Sequence, residues 1–187
     1  QDGQTPDDAT LGNVKRLLET SVLCNNAALG ERTDEGWSPV GDPTEVALLI
    51  AAAKLGIEQG QSIERKPRLR EVPFDSSTKA MAVFSQSGDE IEVSVKGAPE
   101  AILASCTQQV SKEGLVPLTE DARRDWLRLT NEKASHGLRT LAIAAKTAGN
   151  DQENPYEALT LLGVICMLDP PRAGVKEAIE RCRSAGI

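Results

Sequence analysis

The sequence predicts an α+β fold, a twisted and largely antiparallel β-sheet flanked by helices. Three observations carry that prediction. Three strand patterns at 68–75, 79–86 and 90–96 follow one another with only short polar breaks, which is the signature of an antiparallel meander. Helical patterns stand before and after this meander instead of alternating with its strands. A nearly continuous apolar run, LTLLGVICML at 159–168, reads as a strand covered on both faces.

The elements follow in order. Residues 1–9 are polar and are read as loose. Within 10–28, Leu11, Val14, Leu17, Leu18 and Val22 recur at helical spacing. Residues 30–41 are rich in Gly, Asp and Glu and read as loop. The segment 41–56 carries a strong helix start: Asp42 suits the N-cap, Pro43 the first helical position, and Glu45 the capping-box position three after the cap. SGDE turns the second meander strand into the third. That third strand places Ile91, Val93 and Val95 on one side and Glu92, Ser94 and Lys96 on the other, the pattern of a half-buried strand. A helix is predicted at 99–105, a strand near 107–111, and a turn at SKEG. The amphipathic stretch 119–137 is a long helix with Thr119 as N-cap and Gly137 as its stop. Strands at 138–148 and 159–168 and a helix at 172–185 complete the chain. The prolines of MLDPPRAG make a stiff joint, so residues 1–166 are expected to form one domain and 167–187 a joint with the first helix of another.

Composition bounds the function. A chain of 187 residues is long enough for one domain with a real core. Its formal charge is 21 − 28 = −7, which argues against non-specific nucleic-acid binding and demands a local cluster of Lys and Arg for any anionic ligand. Cys24, Cys106, Cys166 and Cys182 are widely spaced and read as free thiols, with no metal cage expected. His136 is the single histidine, which leaves little scope for a Ser-His-Asp triad. The longest apolar run is about half of the roughly 20 residues that span a bilayer. The chain starts at QDGQTP without Met and stops after RSAGI, as expected of a piece of a longer protein.

Four residues invite a binding role, each with a plain local explanation beside it. Lys96 ends a strand next to Gly97, where a ligand can approach the backbone; locally it is a solvated lysine. Phe74 reads locally as a core aromatic, while the wholly polar DSSTK after it also fits a ring at the sheet edge facing a cleft. Glu45 is explained by the capping box alone. Arg139, just after Gly137, is a surface arginine or a phosphate fork. Ser76 and Lys79 have the serine–lysine spacing of penicillin-binding enzymes, but S-D-N is absent and KTAG at 146–149 is an imperfect K-T-G. Neither GxxxxGK[ST] nor GxGxxG occurs, so no standard glycine loop cradles a phosphate.

Taken in order, GDPTEVALL (41–49), VPFDSSTKAMAVF (72–84), VKGAPEAIL (95–103), GLRTLAIA (137–144) and MLDPPRAGV (167–175) resemble the successive signatures of P-type cation-transporting ATPases, type II and calcium-pump-like. The resemblance runs from about residue 14 to 187 and implies the nucleotide-binding domain of such a pump. It implies ATP as ligand, with Mg2+ in the intact pump, and Phe74 stacked on adenine. Lys79 and Lys96 would line the adenine pocket, Gly97 would give the ligand clearance, and Glu45 would approach the adenine amino group. Leu141 would pack near the base and Arg139 would reach the phosphates. Asp169, Pro170, Pro171 and Arg172 would form the hinge into the phosphorylation domain.

The same resemblance implies partners: the phosphorylation and actuator domains of one membrane-embedded parent, at the cytoplasmic face. The fragment itself would be soluble and monomeric, and nucleic acid is no partner. The transported ion would be calcium, with Na+/K+ or another cation as the alternative. The family's DKTG, TGES and GDGxND motifs are absent, so the fragment is expected to bind ATP without turning it over. Ser76 stands where family members often carry Arg, which shifts phosphate contact to Arg139. Two rival readings remain: an interaction module that kept the fold and lost nucleotide affinity, and the serine–lysine hydrolase.

Overall fold

The computed structural model describes residues 7–33, 36–168 and 174–186. Among them the chain forms α1 (Asp8–Leu23), β1 (Arg32–Thr33), β2 (Gly36–Trp37), α2 (Pro43–Ala53), α3 (Gln59–Arg65), β3 (Arg68–Asp75), β4 (Ala80–Ser87) and β5 (Glu90–Gly97). It continues through α4 (Pro99–Ser105), β6 (Cys106–Ser111), β7 (Gly114–Pro117), α5 (Glu120–Ser135), β8 (Leu138–Ala148), β9 (Leu159–Leu168) and α6 (Val175–Ser184). Seven strands make one sheet in the order β3-β4-β5-β8-β9-β6-β7. Every pairing in it is antiparallel except β6 with β9. The α+β prediction therefore stands.

Cross-strand partners share a face, so register tells which side each residue serves. Ala82, Val95 and Ala144 form one row across β4, β5 and β8, with Phe84 beside Val93. This face packs against Ile102 and Leu103 of α4 and against Ala122, Trp126 and Leu127 of α5. Met81, Lys96 and Ile143 form a row on the opposite face. That face lies under α1, whose Leu17 packs on the Ile143 cluster, while Leu18 and Val22 of α1 join Leu49 and Ala52 of α2.

Local chemistry explains the helix bounds. Asp7 caps α1 through the Thr10 N–H at 2.7 Å, so the helix begins inside the segment read as loose. It stops at Leu23, short of the predicted stretch, and leaves Asn25 and Asn26 free to enter a polar network. Asp42 caps α2, and Pro43 opens it. Thr119 accepts the Ala122 N–H at 3.2 Å, and Gly137, at φ 78°, follows the end of α5.

Three elements were not legible in the sequence. Helix α3 buries only Ser62 and carries no apolar stripe; the Gln59 side chain ties it to the Ala27 carbonyl at 2.8 Å. The β1–β2 hairpin is two residues per strand. Strand β7, four residues at the sheet edge, exists through its pairing with β6. Strand β5 also departs from expectation. It lies between β4 and β8, and Ser94 and Lys96 are buried along with Val93 and Val95, so both faces are covered.

Strand β9 continues to Leu168, past the expected boundary at 166. The expected hinge residues Asp169, Pro170, Pro171 and Arg172 lie outside the described residues. Helix α6 buries none of its residues.

Candidate nucleotide-binding cleft

A cleft of about 610 Å³ opens on the α1–α2 face, at the end of the sheet where β3, β4, β5 and β8 meet the start of α2. Its lining includes every residue expected to contact ATP: Glu45, Phe74, Lys79, Lys96, Gly97, Arg139 and Leu141. Leu48, Pro73 and Met81 add apolar wall, and Asn26, Asp42, Thr44 and Glu71 add polar groups.

The floor is the row set by strand register. Lys96 is only 8% exposed, and its ammonium donates to the Glu45 carboxylate. A solvated strand-end lysine is thereby excluded. The second oxygen of Glu45 accepts the Asn26 N–H at 3.1 Å. The capping box expected at Glu45 is thus only half made: Asp42 accepts from Thr44 and Glu45, while the Glu45 carboxylate turns to Lys96 and Asn26. An ion pair this buried is held in place by the strong cost of losing one partner.

The rim is built differently. Phe74 is 63% exposed, on the edge strand β3, which excludes the core aromatic and matches the sheet-edge alternative. Lys79 starts the return into β4 with φ 52°, a conformation costly for a residue with a side chain. Three contacts hold it there. Its N–H donates to the Asp75 carbonyl at 2.7 Å, its carbonyl accepts the Ala98 N–H at 3.0 Å, and its ammonium reaches Glu100 at 3.1 Å. The serine–lysine reading gains nothing from this arrangement, since the ammonium is engaged by Glu100.

Gly97 has a reason other than ligand clearance. A Cβ there would fall 2.5 Å from the Lys79 carbonyl oxygen. The close neighbour that demands glycine is the chain itself.

Arg139, at the start of β8, donates to the Thr44 hydroxyl. Its charge also reaches Asp42. Burial pushes the Asp42 pKa up, but hydrogen bonds from Thr44 and the Glu45 N–H, together with Arg139, prevail and hold it below the usual carboxylate value. Glu100 is held low by its own N–H first and then by Lys79. Beneath the cleft, burial pushes the Cys24 thiol up to about 12, so it stays protonated. Three bases (Lys79, Lys96, Arg139) and three acids (Asp42, Glu45, Glu71) line the cleft, so it carries none of the chain's net acidity.

Sequence reasoning missed one network. Asn26 donates to Glu71 at 2.7 Å, and Arg68 bridges Asn26 and Glu71 at 2.7 Å each. Arg68 also reaches the carbonyl of Asn25 at 2.6 Å. The paired asparagines of CNNA, placed where α1 ends, were the available signal, and the overlong helix prediction hid it. Among the described residues no group of three or more His, Cys, Asp or Glu is placed to hold a metal ion, and no helix is long and apolar enough to cross a membrane.

Fold and cleft together define an α+β domain with an exposed aromatic at the rim of a pocket floored by a buried ion pair. A family model described as P-type ATPase, cytoplasmic domain N, matches residues 13–174, and the chain belongs to that family. Relatives agree. The cation-transporting ATPase pma1 of a Synechocystis species is 36% identical over 99% of this chain and 21% of its own. The calcium-transporting ATPase 1 of Bacillus cereus is 33% identical over 94% and 20%, and the calcium-transporting ATPase of Bacillus subtilis 35% over 93% and 20%. The chain spans about a fifth of the length of these curated relatives.

Proposed function

We propose that this domain binds ATP for a membrane cation pump, gripping the adenine and leaving the phosphates projecting. The observation that carries the reading is the exposed Phe74 ring on the rim of a cleft whose floor is the buried Lys96–Glu45 pair. The cleft volume falls in the range of about 300–1,000 Å³ common to small-molecule sites. Stacking a base on Phe74 contributes about 1–3 kcal/mol by analogy with single-stranded nucleic acid. Leu48, Met81 and Leu141 offer the base apolar walls, Glu45 an acceptor for its amino group, and Lys96 and Lys79 donors. Arg139 takes the phosphates, the role strengthened by serine at position 76.

This division suits a pump. Phosphoryl transfer needs the γ-phosphate delivered in line to an acceptor, with a metal ion neutralising charge. An aspartate in another domain of the same parent is that acceptor, and Mg2+ travels with the nucleotide. A domain that holds the base leaves the phosphates free for that partner. The parent hydrolyses ATP to move a cation, calcium in the first place on the strength of its relatives' names and Na+/K+ or another cation otherwise, with this domain on the cytoplasmic face. The phosphorylation and actuator domains are its partners, with residues 167–187 leading into the first of them.

Chemical-shift titration with ATP tests the reading. Phe74, Lys96 and Glu45 are expected to shift; shifts confined to other regions would refute the site. Arg139→Ala should weaken ATP more than adenosine, and equal losses would remove its phosphate role.

A further inference from the structure

Strand β3 breaks its register with β4 twice, between Arg68 and Arg70 and between Val72 and Asp75, and the second break decides where Phe74 goes. Val72 opposes Ala82, but Asp75 opposes Ala80. Strand β3 takes three steps while β4 takes two, so one extra residue is inserted between them, the signature of a β-bulge. Before the break, Arg70 and Val72 belong to the α4–α5 face. The Arg70 guanidinium lies 5.1 Å from the centre of the Phe84 ring, and Val72 packs on the same core. Unbroken alternation would carry Phe74 to that face as well. With the extra residue, Pro73 and Phe74 both oppose Met81, and all three line the cleft.

We infer that Pro73 is a positioning residue, whose bulge turns Phe74 from the core face of the sheet into the cleft. The inference rests on the nucleotide reading for its ligand but on strand register for its geometry. Pro73 has no N–H to give a ladder, and within sheets proline is confined to edges and bulges. Edge strands also use bulges to resist pairing with other chains. That accounts for a bulge somewhere on β3; it does not account for the ring landing beside Met81.

Two variants of this chain order the outcomes. Pro73→Val restores the N–H and lets the ladder run regularly, which sends Phe74 opposite Ala80. ATP binding should weaken toward the level of Phe74→Ala, about fivefold or more, and the nuclear Overhauser contacts expected in the native chain between the Phe74 ring and the Met81 methyl, which line one cleft, should vanish. Deletion of residue 73 removes the inserted residue and leaves Phe74 alone opposite Met81. It should keep those contacts and bind ATP more tightly than Pro73→Val does. A purely structural proline predicts the reverse order, since losing a residue harms a strand more than replacing one. Pro73→Val with intact Phe74–Met81 contacts would overturn the inference. The nucleotide reading fails separately: if the native chain binds no ATP while its ring contacts respond to the two variants as described, the bulge stands and the ligand does not.

Discussion

One sheet serves two different faces. The side under α4 and α5 is a continuous apolar layer of Phe84, Val93, Val95, Ala144, Leu159 and Leu161. The side under α1 and α2 buries Ser85, Ser94 and Lys96 among its apolar residues and opens into the cleft. The difference teaches a division of labour: the dry face supplies stability, so the other can tolerate a buried ion pair and a partly open pocket. Stability and binding should therefore respond to different substitutions.

The largest effect belongs to the dry face. Phe84 is fully buried, so Phe84→Ala should destabilise the domain by about 3–5 kcal/mol in denaturant unfolding. Molecules that remain folded should bind ATP as before; a selective loss of affinity would break the division. Glu45→Ala comes next. It strands the Lys96 ammonium beneath the cleft and should cost about 3 kcal/mol, the low end for a buried pair because the cleft lets water in. Replacing both residues, with Glu45→Gln and Lys96→Met, should recover part of that loss. A double variant as destabilised as the sum of its two single variants, Glu45→Gln and Lys96→Met, would show that the pair is not coupled.

Phe74→Ala sharpens the comparison from the other side. The ring is mostly exposed, so melting should not move, while ATP affinity should fall by about 1–3 kcal/mol in calorimetric titration. The smallest effect is acid sensitivity. Asp42 and Glu100 have folded pKa values below their ordinary 3.8 and 4.5, so the stability they contribute is complete above those values. It is lost as the pH falls through the depressed ones. Asp42→Asn should flatten the decline of melting temperature below about pH 4, and an unchanged slope would show that Asp42 contributes nothing there.

Much of the architecture was legible because its signals are local. Caps at Asp42 and Thr119, the glycine stop at Gly137 and the alternation of 68–96 each act within a few residues. The seven cleft residues were legible through family resemblance, whereas the local reading of Phe74 left a core position equally open. What stayed hidden depends on distant chain. Helix α3 has no apolar stripe because tertiary ties, not its own face, hold it. The burial of Lys96 required knowing that α1 and α2 cover the polar side of β5. The reason for Gly97 required its neighbour on β4, because a local reading sees only a glycine with room beside it.

That neighbour has a thermodynamic consequence. The Lys79 carbonyl holds the Ala98 N–H, Ala80 opposes Gly97, and Met81 opposes Lys96, so the start of β4, the end of β5 and the start of α4 form one stiff body. A guest entering the cleft finds its floor already ordered. The freedom lost on binding then falls mainly on exposed rim side chains, and a Phe side chain has only two torsions to freeze.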